Sequence, residues 1–376
     1  ENTNIVLPPI SLSMISDDTN STIFDCGGGT TSFALEINQT QLTMNGFTIM
    51  NCGFAINEAE PGDVTLSNVV ISNCNYGIIG SSSVTTSFVS FVDIATQAIY
   101  AVQGSLNIQS TIFYNCTRSV FSLSETNTVK SQECDFQFSG KVQISSSASS
   151  VVSHCKFTYI PCYVTTVLQV SGPGSFNLSD SSFSCASNNN QTVLRTSTDT
   201  IVTSTIVTDC KEINWQGGSL QIASSNLENL LSFVSVGSVG SLHITDTQIS
   251  SDPDFYQFGT TPGLFVTTDE ISLVNSTFVA TSIENVGLTT GIVQDCVFQD
   301  IYGLAMQIYG VWEISGSLFE GAKQNLDSVS AIQMYKPFVG VNNLTISSCT
   351  FNNCTKDTGS VIKGSFGTLT VQDSHF

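Results

Sequence analysis

The sequence predicts an all-β protein that folds as a right-handed parallel β-helix of about 14–16 coils, with about 23 residues in each coil. The first observation behind this prediction is a short motif that recurs along the chain. Each copy has a β-branched residue, two or three Ser, Thr, Asn or Asp residues, and an apolar anchor near an Asn or Cys. The anchors are Ile49, Ile71, Phe91, Phe113, Phe136, Phe157, Phe183, Val207, Leu227, Ile249, Phe278, Phe298, Phe319, Phe351 and Phe376. Their spacing of about 20 to 32 residues is typical of solenoid repeats.

The second observation is the content of the repeat. Segments 63–66, 105–108 and 367–371 alternate polar and apolar residues, are rich in Val, Ile, Leu and Thr, and predict strands. A further strand signal follows many anchors, at 54–56, 76–79, 97–100, 303–308, 330–334 and 361–362. No segment shows the apolar spacing of three to four residues that a helical repeat needs. Two or three strands in each repeat, without a helix, fit one coil of a parallel β-helix.

Three other repeat or all-β folds are less consistent with this pattern. A propeller blade needs about 40 residues or more, and leucine-rich repeats fix Leu and Asn positions that do not recur here. A β-sandwich would not keep one motif in register along most of the chain. We therefore predict a lead-in or cap at residues 1–22 and one continuous β-helix domain at residues 23–376. Residue 376 lies inside a copy of the motif, which leaves open whether the natural chain continues beyond it.

Composition narrows the environment and the partners. The chain of 376 residues has 30 acidic and 10 basic residues, and its formal charge is −20. Nucleic acid and anionic lipid surfaces would repel it. Only 11% of the residues are charged, so Ser, Thr, Asn and Gly supply most of the polar surface, as is common outside the cell. No apolar run of eighteen residues occurs, which predicts no transmembrane segment in this chain.

The twelve cysteines fall at repeated positions of the motif. Cys52 and Cys74 occupy one position in consecutive repeats, and Cys134 and Cys155 occupy another. Coils about 4.8 Å apart would bring such pairs within disulfide distance. The disulfide candidates are Cys52, Cys74, Cys134, Cys155, Cys162, Cys185, Cys210, Cys349 and Cys354, while Cys26, Cys116 and Cys296 have less obvious partners. The alternative is that the cysteines pack in the core as free thiols.

Asn-x-Ser/Thr sequons make N-glycosylation the main predicted modification. The candidates are Asn20, Asn38, Asn115, Asn177, Asn190, Asn275, Asn343 and Asn353. About seven sequons would arise by chance in a chain this rich in Ser and Thr, so position matters more than number. Asn20, Asn38 and Asn190 lie in polar, turn-like segments. Asn115 and Asn353 stand beside a cysteine inside the motif, where an unmodified stack of Asn side chains is the alternative.

No catalytic, cofactor or metal site is predicted, although calcium among the acidic residues stays open. The carboxylate pairs Asp17–Asp18, Asp252–Asp254 and Asp269–Glu270 each lack the partner residues that glycosidic chemistry needs. His154, His243 and His375 are scattered, and outward strand positions explain them. Aromatic patches that stack on sugars are conceivable at Trp215, Trp312, Tyr256, Tyr302, Tyr309 and Tyr335, but capping of the core is the better explanation.

The chain resembles right-handed parallel β-helix proteins of the pectin-lyase-like superfamily, and within it the polymorphic-outer-membrane-protein-like and protist surface repeat proteins. Residues 23–30 and 349–354 carry the resemblance, which covers nearly the whole chain. It implies the fold but does not select a function, because such folds host enzymes, adhesins and structural proteins. The triplet and paired motifs expected of its galacturonan hydrolases are missing here.

The sequence is consistent with two functions. The preferred one is an extracellular structural or adhesive glycoprotein, secreted, on the cell surface or in the matrix, acting as a stalk or as the subunit of a fibre. Its expected partners are further copies stacked end to end, other surface components, and glycans, since exposed strand edges favour addition of another chain. The alternative is a polysaccharide-active enzyme or a carbohydrate-binding β-helix.

Overall fold

The structure is a computed structural model. It describes residues 5–7, 11–16, 22–29, 32–38, 41–60, 62–80, 83–102, 104–122, 128–145, 148–160, 164–185, 191–230, 232–235, 240–251, 263–285, 287, 289–300, 304–321, 331–335, 341–354, 360–365 and 367–376. Every regular element in these ranges is a β-strand, and neighbouring strands in these ranges pair in parallel. The chain divides into two compact units, Glu1–Gln191 and Thr192–Phe376, which are described one at a time.

Unit 1 contains three parallel sheets that the chain visits in the fixed order A, B, C. Sheet A contains Ile5–Leu7, Phe33–Asn38, Phe54–Glu60, Tyr76–Gly80, Gln97–Ala101, Arg118–Ser122, Lys141–Ser145 and Thr166–Ser171. Sheet B contains Ser11–Ile15, Gln41–Asn45, Asp63–Ser67, Val84–Ser87, Leu106–Gln109, Val129–Gln132, Ser150–Ser153 and Phe176–Ser179. Sheet C contains Ile23–Asp25, Thr48–Met50, Val70–Ser72, Ser90–Val92, Ile112–Tyr114, Asp135–Gln137, Lys156–Thr158 and Ser182–Ser184. One strand from each sheet makes one rung.

Unit 2 repeats this arrangement with its own strands in sheets A, B and C. Sheet A contains Thr192–Thr196, Glu212–Trp215, Ser232–Ser235, Gly263–Val266, Ser282–Asn285, Met306–Ile308, Ile332–Met334 and Ile362–Gly364. Sheet B contains Thr200–Thr203, Leu220–Ala223, Ser241–Thr245, Glu270–Val274, Thr289–Gln294, Gly310–Ser315, Asn343–Ser347 and Thr368–Gln372. Sheet C contains Ile206–Thr208, Asn226–Glu228, Gln248–Ser250, Thr277–Val279, Val297–Gln299, Leu318–Glu320 and Thr350–Asn352.

The predicted fold class is confirmed: the protein is an all-β parallel solenoid with turns of about 22 residues. Phe113 pairs in register with Phe91 on one side and with Phe136 on the other. The right-handed sense of the coil stays a prediction. Strands Ile5–Leu7 and Ser11–Ile15 pair with the strands of the next rung along the chain. Residues predicted to form a lead-in or cap therefore already contribute strands to sheets A and B.

The core is built from stacked anchor side chains. In sheet C the middle residue of each three-residue strand points inward, and the residues beside it point outward. The rings of Phe136 and Phe157 lie 4.5 Å apart and are almost parallel, and those of Phe157 and Phe183 lie 4.4 Å apart. Phe298 and Phe319 in unit 2 repeat this geometry at 4.7 Å. The column of aromatic anchors predicted from the motif is therefore present.

Two sharp corners in each rung set the positions of the surface side chains. Corner 1 joins sheet B to sheet C, and corner 2 follows sheet C. Most corners have a residue with positive φ, a conformation that favours Gly, Asn and Asp. Corner 1 uses Gly46, Asn68, Phe88, Ser110, Glu133, His154, Asp180, Ser204, Ser224, Asp246, Asn275, Asp295, Gly316, Ser348 and Asp373. Corner 2 uses Asn51, Asn73, Asp93, Asn115, Phe138, Tyr159, Asp209, Asn229, Ala280, Asp300, Gly321 and Asn353.

A small, buried residue commonly follows the positive-φ residue. Its hydroxyl or thiol donates to the carbonyl two residues earlier, as Thr111 does to Gln109 at 2.9 Å and Cys134 does to Gln132 at 3.2 Å. The position is filled in this way by Thr111, Cys134, Cys155, Ser181, Thr205, Ser225, Thr247, Ser276, Cys296, Ser317, Cys349 and Ser374 at corner 1. Cys74, Cys116, Ser139, Thr281 and Cys354 fill it at corner 2. Ser, Thr and Cys are therefore equivalent here.

Candidate functional site

Three exposed aromatic side chains line consecutive rungs of unit 1 at corner 2. Tyr114 is the last residue of its sheet C strand, and Phe138 and Tyr159 follow the next two sheet C strands directly. Their exposed fractions are 40%, 42% and 67%. The Tyr114 and Phe138 rings meet edge to face at 5.7 Å, and the Phe138 and Tyr159 rings stack at 5.0 Å. We name these three residues the corner strip.

The backbone at two positions of the corner strip is strained. Phe138 and Tyr159 have φ of 49° and 53°, which is unusual for a bulky residue and costs on the order of 1–2 kcal/mol. Most rungs place Asn or Asp at this position, among them Asn73, Asp93 and Asn115. The ladder holds the conformation, because the Phe138 N–H donates to Thr158 O at 3.1 Å. Strain retained at an exposed position is typical of functional sites.

Basic residues flank the corner strip in a chain that is otherwise acidic. Residues 1–117 contain no Lys or Arg, whereas residues 118–156 contain four of the ten. Arg118 and Lys141 begin the sheet A strands that leave corner 2, and they are paired across the sheet. Lys156 is exposed on sheet C, three residues before Tyr159. The strands next to the corner strip thus carry basic residues, although Lys156 stands opposite the acidic Asp135 in the ladder.

A second aromatic surface covers the outer face of sheet A in unit 1. Phe33, Phe54 and Tyr76 stack on consecutive rungs with ring separations of 4.8 and 4.7 Å. Beside them is an open pocket of about 290 Å³ lined by Phe54, Tyr76, Ile79, Gln97 and Tyr100. We name it the sheet A pocket. Because no basic residue occurs before Arg118, this pocket lies in the part of the sequence that carries only negative charge.

The two Trp residues that were candidates for stacking on sugars are core residues and do not form a surface patch. Trp215 and Trp312 are each 1% exposed, and their indole N–H groups donate to the carbonyls of Gly217 and Tyr309. They fill the core, whereas the capping explanation placed their polar tips in water. Tyr309 and Tyr335 form a looser stack at 5.7 Å. Tyr256 and Tyr302 lie outside the described residues.

The corner strip is not evident when aromatic residues are considered by type and not by their position in the repeat. The signal was available at the second residue after each anchor, where Asn51, Asn73, Asp93 and Asn115 precede Phe138. An aromatic residue that replaces Asn or Asp at a positive-φ position breaks the rule of the repeat. Such a departure is where a function independent of the fold can be sought.

In the ranges it describes, the structure gathers no group of side chains that could hold a metal ion. Within those ranges no three His, Cys, Asp or Glu side chains converge on a common point. Asp269 and Glu270 are exposed neighbours at the edge of a sheet B strand. His154 is an exposed corner 1 residue, and His243 is half-buried on sheet B. The pairs Asp17–Asp18 and Asp252–Asp254 lie outside the described residues.

The cysteines differ in part from the predicted pairing. Cys52 bonds to Cys26, with a Cα–Cα distance of 4.9 Å, and Cys74 is a buried thiol. The pairing of Cys52 with Cys74 was therefore wrong: Asp25 pairs with Met50, so Cys26 aligns with Asn51 and bonds to Cys52, the next residue along the neighbouring rung. Cys185 and Cys210 are also disulfide-bonded, whereas Cys162 lies outside the described residues.

The other cysteines in the described ranges are buried thiols: Cys74, Cys116, Cys134, Cys155, Cys296, Cys349 and Cys354. Burial raises the pKa of Cys116 to about 12 and that of Cys296 to about 11. Such thiols are inert at neutral pH, which agrees with the alternative of cysteines packed in the core. Cys134 and Cys155 are the exception, since they lie beside each other.

The predicted glycosylation sites fall into three groups. Asn115, Asn275 and Asn353 are exposed positive-φ residues at the corners. Asn38, Asn177 and Asn343 are half-buried on strands, and the side-chain oxygens of Asn177 and Asn343 are buried without a hydrogen-bond partner. Asn20 and Asn190 lie outside the described residues. Occupancy by sugars stays a prediction for all eight.

The two interpretations of Asn115 can be compared directly. Its Nδ2 donates to Asp93 Oδ1 at 2.7 Å, and Asn275 donates in the same way to Asp246 at 2.6 Å. Asn51 and Asn229 form equivalent bonds without being sequons. Asn115 is thus part of an Asn–Asp pair between neighbouring rungs and not of a stack of Asn side chains, and a glycan on Nδ2 would remove one of the donor hydrogens that serve this pair.

Comparison with protein-family models and with curated proteins finds no match for the chain. No helix in the described part of the structure has the length and apolarity needed to cross a bilayer. The assignment to the pectin-lyase-like superfamily therefore stays a resemblance, and what is established is the parallel β-solenoid itself.

Proposed function

We propose that the chain is an extracellular structural and adhesive β-solenoid, a surface stalk or fibre subunit, that contacts an anionic polysaccharide through the corner strip. The observation that carries the proposal is the replacement of Asn or Asp by Phe138 and Tyr159 at strained, exposed positions. Ring edges carry partial positive charge, and residues 118–156 hold four of the ten basic residues, so a local attraction acts against the net charge of −20. Carboxylate oxygens of a uronate polymer complement this surface.

The scaffold part of the proposal is supported by the regularity of each unit. Most strand pairs keep their register from rung to rung, and the exposed strand positions combine Ser, Thr, Gln and Asn with apolar and charged residues. Within the described ranges one ion pair occurs, between Lys211 and Glu212 at 3.9 Å. A surface with few fixed charges and a rigid ladder suits repetitive display of a small number of contact sites.

The adhesive role is tested by binding of the purified chain to immobilised alginate, with uncharged dextran as a second probe. We expect the double variant Phe138→Asn/Tyr159→Asn to weaken binding to alginate at least tenfold while it keeps the β-sheet circular dichroism spectrum. Asn suits the backbone, because neighbouring rungs already use it at the same position.

The matched control is Phe88→Asn, which removes an exposed positive-φ aromatic residue at corner 1, away from the corner strip. It should leave binding unchanged, whereas Lys156→Glu should weaken binding to alginate without affecting dextran. Equal binding by the wild type and the double variant would contradict the adhesive role. Depolymerisation of alginate by the wild type would contradict the non-enzymatic role.

A second candidate, carbohydrate binding without adhesion to acidic polymers, rests on the sheet A pocket. Its aromatic lining, with Gln97 beside Tyr76 and Tyr100, suits a neutral sugar, since the residues before Arg118 carry no positive charge. Tyr100→Ala should then abolish binding of a neutral glycan that Phe138→Asn leaves intact. Binding of alginate that is lost only with Tyr100→Ala would favour this candidate over the first.

A further inference from the structure

Two thiols occupy the same corner 1 position on consecutive rungs of unit 1. Cys134 and Cys155 each follow a positive-φ residue, and each is 2% exposed. The strands that precede them are paired with Gln132 opposite Ser153, and the strands that follow begin with Asp135 opposite Lys156. The two cysteines are therefore held face to face between two sets of paired strands.

A shared hydroxyl group locates both sulfur atoms. Ser131 Oγ donates to Cys134 Sγ at 3.3 Å and lies 3.6 Å from Cys155 Sγ. Each thiol also has its own carbonyl acceptor two residues earlier, Gln132 O at 3.2 Å and Ser153 O at 3.3 Å. Both sulfurs are thus in one small polar site inside the core.

The pair has a counterpart in the same unit. Cys26 and Cys52 lie at corner 2 on consecutive rungs, offset by one residue because Asp25 pairs with Met50, and they form a disulfide with a Cα–Cα distance of 4.9 Å. Consecutive rungs of a parallel ladder are about 4.8 Å apart, within the range that a disulfide spans. The fold therefore accepts a disulfide between neighbouring rungs.

Other thiols in the described ranges lack such a neighbour. Cys116 faces Ser139, whose Oγ accepts the Cys116 N–H at 3.4 Å, and Cys296 faces Ser317 in the same way at 3.1 Å. Hydrogen bonding from the Cys155 thiol lowers the pKa of Cys134, while the Cys134 sulfur and burial raise the pKa of Cys155. These opposite shifts favour Cys134 as the nucleophile and Cys155 as the proton donor.

We propose that Cys134 and Cys155 are a peroxide-reactive dithiol site that converts to a second disulfide between rungs. The Cys134 thiolate attacks one oxygen of hydrogen peroxide, the O–O bond breaks, and a sulfenic acid and hydroxide form. The Cys155 sulfur then attacks the sulfenic sulfur, the S–O bond breaks, and hydroxide leaves. With the two thiol protons, both hydroxides become water, so two thiols and one peroxide give one disulfide and two waters.

The test is peroxide treatment of the folded wild-type chain, followed by unfolding in acid, alkylation of the remaining thiols, digestion and mass spectrometry. We expect a linked pair of peptides that contains Cys134 and Cys155, while Cys116 and Cys296 are recovered alkylated. The oxidised chain should also unfold at a higher Tm than the untreated chain. Recovery of both cysteines alkylated, or of either as a sulfonic acid without the link, would overturn the proposal.

Two variants separate the chemistry from the fold. Cys134→Ser should fold, because Thr111 and Ser181 hold the same position in nearby rungs, and its Tm should not respond to peroxide. Cys296→Ser removes a buried thiol without a thiol neighbour and should keep the full response of the wild type. A peroxide-induced rise in Tm that survives Cys134→Ser would contradict the assignment to this pair.

Discussion

At the scale of single residues, the corners determine which side chains the protein presents. A residue with positive φ turns the chain at corner 1, and another turns it at corner 2. The N–H of such a residue continues the ladder of hydrogen bonds, as the Asn115 N–H donates to Gln137 O at 3.0 Å. The conformation suits Asn, Asp and Gly and penalises bulky residues. Phe88, Phe138 and Tyr159 therefore carry a cost in stability that most other corner residues do not.

This cost is measurable at Phe88, which is 65% exposed and has φ of 55°. We expect Phe88→Asn to raise the free energy of unfolding by about 1 kcal/mol, because the strain is relieved and little buried area is lost. The reverse change, Asn68→Phe, at the same corner 1 position one rung away, should lower it by a similar amount. Urea denaturation of both variants checks this, and a loss of stability in Phe88→Asn would contradict it.

Much of the residue scale was predictable from the sequence, but not all. The inward anchors such as Phe113 and Phe136 followed from the motif, because a hydrophobic period fixes which side faces the core. The partner of Cys52 did not, since Cys26 and Cys74 lie one repeat away on either side. The corner strip required knowledge of the backbone conformation at Phe138, which the sequence shows only once the corners are aligned.

At the scale of strands, neighbouring rungs must match in volume as well as in register. In sheet B of unit 2, Gly291 lies directly between Ile271 and Trp312 in the ladder. A Cβ at Gly291 would lie 2.1 Å from a ring atom of Trp312. The large indole of one rung is thus accommodated by the missing side chain of the next.

We therefore expect Gly291→Ala to destabilise the protein by about 1–3 kcal/mol, since a fully buried ring cannot move aside without disturbing its neighbours. The matched control is Gly217→Ala, whose added Cβ would have its nearest neighbour at 3.7 Å and should have little effect. Thermal unfolding measures both. The double variant Gly291→Ala/Trp312→Leu should recover part of the loss, and strictly additive effects would contradict the steric explanation.

Element order was the most predictable property of the chain. The alternating segments 63–66 and 105–108 correspond to sheet B strands Asp63–Ser67 and Leu106–Gln109, and the signals at 76–79 and 97–100 correspond to sheet A. The three-residue strands of sheet C were visible only as anchors, because so short a strand has no period of its own. The volume match of Gly291 with Trp312 depends on register, which repeat spacing alone leaves open.

At the scale of the whole molecule, net charge is the dominant electrostatic property. A formal charge of −20 opposes compaction through self-repulsion, and within the described ranges a single, largely exposed ion pair offers attraction that salt could weaken. Added salt should therefore act mainly by screening repulsion. This behaviour is opposite to that of proteins held together by surface salt bridges.

We expect Tm at pH 7 to rise by several degrees between about 10 mM and 150 mM sodium chloride, over which the Debye length falls from roughly 30 to 8 Å. Calorimetry at a series of salt concentrations measures this. Lithium chloride at equal ionic strength is the control for ion-specific effects and should give the same rise. A Tm that falls with salt would show that attractive charge pairs outweigh the repulsion.

The equivalence of Ser, Thr and Cys after each corner has a practical consequence for engineering. Ser139 lies one rung from Cys116, and its hydroxyl accepts the Cys116 N–H at 3.4 Å. The substitution Ser139→Cys would place a second sulfur beside that of Cys116 without a change in backbone geometry. Disulfides between rungs could thus be added one at a time, at positions where the native chain already accepts Cys.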